Sequence, residues 1–164
     1  MKRVAIVGSG GSGKSTFARA LGEKAGLDVF HLDRLFWKPG WVETPRDEWR
    51  AVQRDLVARD SWIIDGNYSG TLDIRLRAAD TVFFFDFARL VCLRRAVWRS
   101  VRNHGKAIQA PGCPERLDLA FYRWIWKYPK TSRPVVIESI ATHAHNARVL
   151  VATTRRDAAS LLET

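Results

Sequence analysis

The sequence contains few cysteines and no long apolar run. Of its 164 residues only Cys92 and Cys113 are cysteines, and no C-x-x-C pair occurs, so neither a disulfide framework nor a zinc knuckle is predicted. The apolar stretch that follows Met1-Lys2-Arg3 is a few residues long. It is too short for a secretory signal or a membrane span, and no other window qualifies. We therefore expect a cytoplasmic protein with reduced thiols.

Acidic residues are scarce relative to basic ones. The chain has 27 lysines and arginines against 17 aspartates and glutamates, which gives a net charge of +10. A surface of this sign attracts polyanions, whether these are the phosphates of a nucleotide or the backbone of a nucleic acid. Charge alone therefore leaves an enzyme and a DNA-binding protein both open. The guanine-nucleotide signatures N-K-x-D and D-x-x-G are also missing, which argues against a regulatory GTPase and favours ATP.

Short apolar runs alternate with helical patterns along the chain. Strands are predicted at 4–7, 29–32, 62–64, 81–85 and 148–152, and helices at 15–25, 45–56, 90–102, 117–128, 134–143 and 157–162. The helix at 45–56 is predicted to have Thr44 as its N-cap and Pro45 in its first turn. The aromatic segment 33–43 and the Gly- and Pro-rich segment 104–115 are predicted to be irregular. Strands that alternate with helices predict an α/β fold in which helices cover both faces of a parallel sheet. The length suits one core, so we expect a single domain over residues 1–164.

The first predicted strand leads directly into a phosphate-binding motif. The segment G-S-G-G-S-G-K-S at 8–15 fits G-x-x-x-x-G-K-[ST] and lies between a buried-type strand and a helix, which is the context of a true P-loop. In such a loop backbone N–H groups converge on the phosphates, Lys14 neutralises β- and γ-phosphate oxygens, and Ser15 binds Mg²⁺. The predicted ATP contacts are Gly8, Ser9, Gly10, Gly11, Ser12, Gly13, Lys14, Ser15 and Thr16.

Aspartates stand at the ends of three predicted strands. Asp33 follows the second strand, Asp65 closes the third and Asp86 ends the fourth, so all three face the carboxyl edge where α/β sheets bind ligands. Asp33 could orient or deprotonate an acceptor hydroxyl, and Asp65 could hold Mg²⁺ through water. Either could also be a simple turn residue. Asp86 could instead cap the helix that follows it.

The helix predicted at 90–102 has two unlike faces. The apolar face consists of Leu90, Leu93, Val97 and Val101. The opposite face carries Arg95, Arg99 and Arg102. As parts of a mobile lid, arginines could close over the phosphates during transfer. They could equally be ordinary surface charge.

The helix predicted at 117–128 is rich in aromatic residues. Its large rings belong to Phe121, Tyr122, Trp124, Trp126 and Tyr128. They could form a base-stacking platform, or they could pack a lid or the core. Further along, His143 and His145 have no partner cluster in the sequence, and we predict no metal site there.

The order of these motifs resembles the adenylate-kinase-like branch of P-loop kinases and, more closely, the DNA topology modulation protein family. The resemblance spans nearly the whole chain. It rests on G-S-G-G-S-G-K-S-T at 8–16, H-L-D-R-L-F-W-K-P-G-W at 31–41, W-I-I-D-G-N-Y at 62–68, G-C-P-E-R-L-D-L at 112–119 and W-I-W-K-Y-P-K-T at 124–131.

The resemblance implies a three-layer P-loop NTPase fold. Its five-stranded parallel sheet would have the P-loop strand at the centre, an acceptor-side segment at about 33–60 and an arginine-bearing lid with the aromatic helix at about 95–130. Arg95 and Arg99 stand at spacings similar to those of adenylate-kinase lid arginines. After Asp65-Gly66 the sequence N-Y-S replaces F-P-R, which removes the arginine expected to hold a nucleoside monophosphate. Arg75 could substitute for it.

Two functions follow from these features. The first is an ATP-dependent phosphotransferase that acts on a nucleotide, nucleoside or other small acceptor, with Lys14, Arg95, Arg99 and Asp33 as catalytic residues and Ser15 and Asp65 as Mg²⁺ ligands. The alternative is an ATP-dependent, nucleic-acid-associated regulator that affects DNA topology and binds through its basic surface. Neither function requires a membrane partner.

Overall fold

A five-stranded parallel sheet lies at the centre of the protein, whose computed structural model describes residues 1–163. The strands in that range are β1 (Arg3–Gly8), β2 (Val29–His31), β3 (Trp37–Lys38), β4 (Val42–Glu43), β5 (Trp62–Asp65), β6 (Thr81–Phe85) and β7 (Arg148–Ala152). The parallel sheet has the order β2-β5-β1-β6-β7, and β3 and β4 form a separate antiparallel hairpin. The prediction of a parallel sheet with the P-loop strand in the middle is therefore confirmed.

Helices cover both faces of this sheet. They are α1 (Lys14–Ala25), α2 (Leu32–Phe36), α3 (Arg46–Val57), α4 (Leu72–Ala78), α5 (Arg89–Arg102), α6 (Leu119–Lys127), α7 (Ser132–His143) and α8 (Arg155–Glu163), with one 3₁₀ turn at Ser69–Thr71. Within the described range, none of them is both long and apolar enough to cross a lipid bilayer.

The central strand supplies side chains to two hydrophobic cores. Ala5 and Val7 pack with residues of α3, α4 and α7, whereas Val4 and Ile6 pack with residues of α1, α5 and α6 on the other face. All four side chains are fully buried, and burying a Val or Ile side chain contributes about 1.5–3 kcal/mol. Burial on both faces explains why β1 is continuously apolar rather than alternating.

Three local predictions were wrong. The segment 33–43, predicted to be irregular, forms α2 and the hairpin, and the seven-residue helix α4 was not predicted. The predicted N-cap Thr44 does not cap α3; Pro45 is the N-cap, and the Thr44 hydroxyl donates to the Phe36 carbonyl at 2.6 Å. That bond ties the start of α3 to the end of α2 instead.

Helix α5 packs through a different face from the predicted one. Leu90 and Val101 of the predicted apolar stripe are 65% and 56% exposed, whereas Cys92, Ala96 and Ser100 are buried. The reason is a close backbone approach, because a Cβ atom added to Gly11 would lie 2.2 Å from the Cys92 carbonyl oxygen. Small residues on α5 and glycine in the loop permit this contact, and no larger side chain fits there.

Candidate active site

The P-loop forms the turn between β1 and α1. Gly13 adopts φ 98° immediately before the first residue of α1, a left-handed conformation that suits glycine. The Lys14 ammonium folds back across the loop and donates to the Ser9 carbonyl at 2.7 Å, and the Ser12 hydroxyl donates to the same oxygen at 2.8 Å. The loop thus presents its backbone at the N-terminus of α1, where a phosphate is favoured.

The charge of Lys14 is influenced by side chains from three neighbouring elements. Burial lowers its pKa, while the negative charges of Asp65 and then Asp33 raise it and the positive charge of Arg99 lowers it. Three side chains that the sequence singled out separately therefore influence the charge of this one ammonium group.

Asp65 lies at the end of β5 beside the end of β2. The β2–β5 register pairs it with His31, whose Nδ1 lies 2.9 Å from Asp65 Oδ2. The other carboxylate oxygen, Oδ1, is buried and has no hydrogen-bond partner in the described part of the chain. A buried carboxylate oxygen of this kind normally has a partner, and a hydrated Mg²⁺ would supply one.

The donor set around Asp65 suits Mg²⁺ rather than a metal held entirely by protein. Residues 1–163 contain no group of three or more His, Cys, Asp and Glu side chains that could hold an ion. Mg²⁺ needs no such group, since it keeps several waters and binds through one or two protein ligands together with substrate phosphates. Ser15, in the first turn of α1, and Asp65 are the residues that fit this description.

Asp33 lies in the first turn of α2 and is held by a tyrosine. The Tyr68 hydroxyl donates to Asp33 Oδ1 at 2.6 Å. The Tyr68 backbone is left-handed, at φ 33° and ψ 66°, which is unfavourable for a bulky residue. Ring contacts with Phe36 at 4.8 Å and Trp49 at 5.1 Å hold it in place. Burial, and then the charge of Asp33, raise the pKa of Tyr68 far above its usual value, so the hydroxyl remains a donor at neutral pH.

Two arginines of α5, Arg95 and Arg99, make polar contacts beyond their own helix. Arg95 Nη1 donates to the Ser12 carbonyl at 3.3 Å. Burial, and then the positive charge of Arg155, lower the Arg95 pKa. Arg99 Nε lies 2.9 Å from Glu115 Oε1, an ion pair in which the N–H does not point at the oxygen. Arg95 is therefore ordered against the loop, and Arg99 is held by Glu115 rather than free on the surface.

The aromatic helix α6 packs on the P-loop. A Cβ atom added to Gly10 would lie 2.6 Å from Cζ of Phe121 and 3.4 Å from the Ile125 side chain. This contact favours the packing role for the aromatic face over a base-stacking platform. Trp126 differs, because it is 43% exposed and its ring lies 4.0 Å from the Arg89 guanidinium.

Two further sequence-based assignments need correction. Arg75, suggested as a substitute phosphate ligand, is fully buried and donates to the carbonyls of Gly66 at 3.2 Å and Asn67 at 2.7 Å. Burial lowers its pKa to about 10. It supports the loop after β5 from inside and cannot reach an acceptor. Asp86 does not cap α5; Arg133 binds it through two nitrogens, Nε at 2.8 Å and Nη2 at 2.7 Å.

Sequence reasoning missed three residues of the site. His31, Tyr68 and Glu115 contact Asp65, Asp33 and Arg99 respectively. Each lies in one of the segments that carry the resemblance, at 31–41, 62–68 and 112–119. Their presence in those segments was the sequence feature that could have identified them. His31 could also have been found from its position at the end of a strand, two residues before Asp33.

Comparison with solved structures identifies the fold. The chain superimposes on a shikimate kinase from Acinetobacter baumannii in complex with shikimate, with a TM-score of 0.66 and 15% identity over 99% of this chain and 89% of that one. It is similar to a shikimate kinase from Bacteroides thetaiotaomicron, with a TM-score of 0.59 and 16% identity over 99% and 94% of the two chains. The protein has a P-loop kinase fold.

A third solved structure with this fold is an unliganded sugar kinase from Janibacter sp. HTCC2649, with a TM-score of 0.54 and 17% identity over 99% of this chain and 91% of that one. No protein-family model and no curated protein matches the chain. Membership of the DNA topology modulation family therefore stays a prediction. Identities this low show the fold alone, and a shared fold does not fix the substrate.

Proposed function

We propose that this protein is an ATP-dependent phosphotransferase that moves the γ-phosphoryl group to a small acceptor. The observation that carries the proposal is a P-loop on which two cations lie: Lys14 Nζ donates to the Ser9 carbonyl at 2.7 Å and Arg95 Nη1 donates to the Ser12 carbonyl at 3.3 Å. At the same edge of the sheet, the partly exposed Asp33 carboxylate is held by the Tyr68 hydroxyl at 2.6 Å. Phosphoryl transfer needs this combination of cations at the phosphates and a carboxylate at the acceptor.

ATP would bind with its phosphates on the P-loop residues 8–16. The backbone N–H groups and the N-terminus of α1 attract the phosphates, and the Lys14 ammonium would exchange the Ser9 carbonyl for β- and γ-phosphate oxygens. Ser15 and Asp65 would hold Mg²⁺. When bound, Mg²⁺ neutralises charge on the β- and γ-phosphate oxygens.

Asp33 is the proposed general base for an acceptor hydroxyl. As the acceptor oxygen attacks the γ-phosphorus, its proton passes to the Asp33 carboxylate and the bond from the γ-phosphorus to the β–γ bridging oxygen breaks, which releases ADP. Lys14, Arg95 and Arg99 stabilise the negative charge on the transferring group. Helices α5 and α6 act as the lid, and residues 33–60 as the acceptor side of a single domain.

The geometry favours a hydroxyl acceptor. Arg75 is buried and unavailable to a monophosphate, whereas Asp33 is partly exposed and held in a fixed orientation by Tyr68. Two of the structural relatives are described as a shikimate kinase with bound shikimate and a sugar kinase. Small polyhydroxylated molecules of these kinds are therefore the first acceptors to test, beside nucleosides and nucleoside monophosphates.

The deciding experiment measures ADP release from ATP and Mg²⁺ with each candidate acceptor and with duplex DNA. Lys14→Ala should abolish acceptor-stimulated release. Lys24→Ala, on the exposed end of the same helix, is the matched control and should leave it unchanged. Asp33→Asn should lower kcat by about 10²- to 10⁴-fold, the usual contribution of a general base. Stimulation by DNA alone would refute the proposal and favour the nucleic-acid-associated alternative.

A further inference from the structure

Glu115 is a buried carboxylate in the irregular segment between α5 and α6. It is 3% exposed although its neighbours Pro114 and Arg116 are exposed. Burial of a carboxylate is costly unless its oxygens are paired. The Gln109 amide donates to Oε1 at 2.7 Å and the Ser100 hydroxyl donates to Oε2 at 3.3 Å. The carboxylate is therefore fixed in position beside α5.

The third partner of this carboxylate is Arg99. Its Nε lies 2.9 Å from Glu115 Oε1, and the side chain remains 29% exposed. No residue among 1–163 accepts a hydrogen bond from the terminal nitrogens of Arg99. The Nε end of the guanidinium is thus held by a carboxylate, while its terminal nitrogens can donate to a ligand.

Arg99 also lies close to the phosphate-binding loop. Its guanidinium carbon is 5.8 Å from the centroid of the Phe121 ring, and that ring packs on the loop, where a Cβ atom added to Gly10 would lie 2.6 Å from Phe121 Cζ. A guanidinium contributes to transfer only when its donors are held where charge develops. Glu115 provides that restraint through its ion pair with Arg99 Nε.

The segment that carries Glu115 is itself attached to the acceptor side of the site. Residues 110–116 contact the β3–β4 hairpin at 37–43, and we name this contact the clasp. Gly40 N–H donates to the Gly112 carbonyl at 2.9 Å, the Trp41 indole N–H donates to the Pro114 carbonyl at 3.1 Å, and the Cys113 thiol donates to the Lys38 carbonyl at 3.3 Å. The position of Glu115 therefore depends on that of the hairpin.

We propose that Glu115 is a positioning residue that fixes Arg99 for phosphoryl transfer and links its position, through the clasp, to the acceptor side. This inference rests on the proposed function, since it assigns a role within the same site. Glu115 does not touch the phosphates. It acts through Arg99 alone, so its loss should affect the transferring phosphoryl group and not the binding of ADP.

The test compares the binding of ADP and Mg²⁺ with and without aluminium fluoride, a planar mimic of the phosphoryl group in transfer, and it needs no acceptor. Glu115→Gln keeps the shape of the side chain and removes its charge. The affinity for the aluminium fluoride complex should fall roughly 10- to 100-fold, the scale of a displaced catalytic group, while that for ADP alone changes less than about threefold. Glu138→Gln, which removes an exposed carboxylate on α7, is the control and should change neither.

A double-mutant cycle separates positioning from general support of the fold. In an Arg99→Gln background, Glu115→Gln should cause no further loss of affinity for the mimic, because the group it positions is absent. Additive losses, equal losses for ADP and the mimic, or no loss would each overturn the inference. If Glu115→Gln does not fold, Gln109→Ala and Ser100→Ala each remove one bond to the same carboxylate and should show the same selective loss, smaller in size.

Failure of this inference and failure of the proposed function give different results. If no acceptor stimulates ADP release from the wild-type protein, the phosphotransferase proposal fails. The affinities of Glu115→Gln for ADP with and without aluminium fluoride can still be measured in that case, because this test needs no acceptor. If an acceptor is found and Glu115→Gln retains wild-type kcat with it, the positioning role fails while the phosphotransferase stands. Loss of kcat with little change in KM for ATP would support both.

Discussion

We predict that one added methyl group opens the clasp between the β3–β4 hairpin and residues 110–116. Gly112 has φ 70°, and a Cβ atom there would lie 2.8 Å from Pro39 Cβ and 3.1 Å from Pro39 Cα. Gly112→Ala therefore meets two penalties. A left-handed backbone costs a side-chain-bearing residue about 1–2 kcal/mol, and the forced contact with Pro39 adds about 1–3 kcal/mol, the usual cost of overpacking.

A matched control separates the two penalties. Gly105 lies in the same segment at φ 77°, and a Cβ atom there would meet nothing within 4 Å. Gly105→Ala therefore carries the backbone strain without the collision. The difference between the two variants isolates the contact with Pro39, which is the part that the clasp geometry predicts.

Cys113 provides the readout. Both cysteines are fully buried, so a thiol reagent reaches Cys113 only when the clasp opens. The contact with Pro39 destabilises the closed clasp by about 1–3 kcal/mol in Gly112→Ala relative to Gly105→Ala. The equilibrium constant for opening, and with it the rate of Cys113 labelling, should therefore rise roughly 5- to 150-fold. Peptide mass spectrometry assigns the label to Cys113 or Cys92. Equal labelling of Cys113 in the two variants would refute the described contact.

Two further predictions concern pH. Burial lowers the pKa of Lys14 below 10.5, so its charge destabilises the ligand-free fold at neutral pH, and this effect fades as the pH rises toward 10.5. In urea unfolding, the free energy of unfolding of Lys14→Met minus that of the wild type should therefore decrease as the pH is raised from neutral toward 10.5. A difference that does not change with pH would contradict the lowered pKa. Hydrogen bonds from Thr153 and Thr154 lower the pKa of Asp157 from 3.8 to about 2, so the advantage in Tm over Asp157→Asn should be full above pH 3.8 and vanish as the pH falls through about 2. Asp55→Asn, at an exposed position on α3, is the control. If the wild type kept its higher Tm relative to Asp157→Asn below about pH 2, the carboxylate charge would not be the source of that difference.

The fold was predictable from the sequence because its central strands are buried on both faces. Continuous apolar runs such as 4–7 mark strands of this kind, and the P-loop motif fixes which strand is followed by the nucleotide site. The short elements were not predictable in the same way. Helix α4 contains Arg75 among its buried residues, so its inward face does not have the apolar pattern on which helix prediction depends.

The packing of α5 shows why periodicity can select the wrong face. Its apolar stripe is the more hydrophobic one, yet the helix buries Cys92, Ala96 and Ser100. What decides the orientation is the close approach of the α5 backbone to the P-loop, where a Cβ atom added to Gly11 would lie 2.2 Å from the Cys92 carbonyl oxygen. Sequence patterns report hydrophobicity and not the distance between two backbones, so this orientation could be found only from the structure.

The same limit applies to the partners of the predicted site residues. The sequence identified Asp33, Asp65 and Arg99, but it could not show that Tyr68, His31 and Glu115 hold them. Each pair joins residues on different elements, and only the register of the sheet and the path of the loops bring them together. In each pair one oxygen of a carboxylate is occupied by its partner. Among residues 1–163, the other oxygen of Asp65 has no partner, whereas both oxygens of Glu115 have one. This difference supports the two proposed roles, since an oxygen without a partner can take a hydrated cation, whereas a carboxylate with both oxygens bonded is suited to hold the arginine beside it.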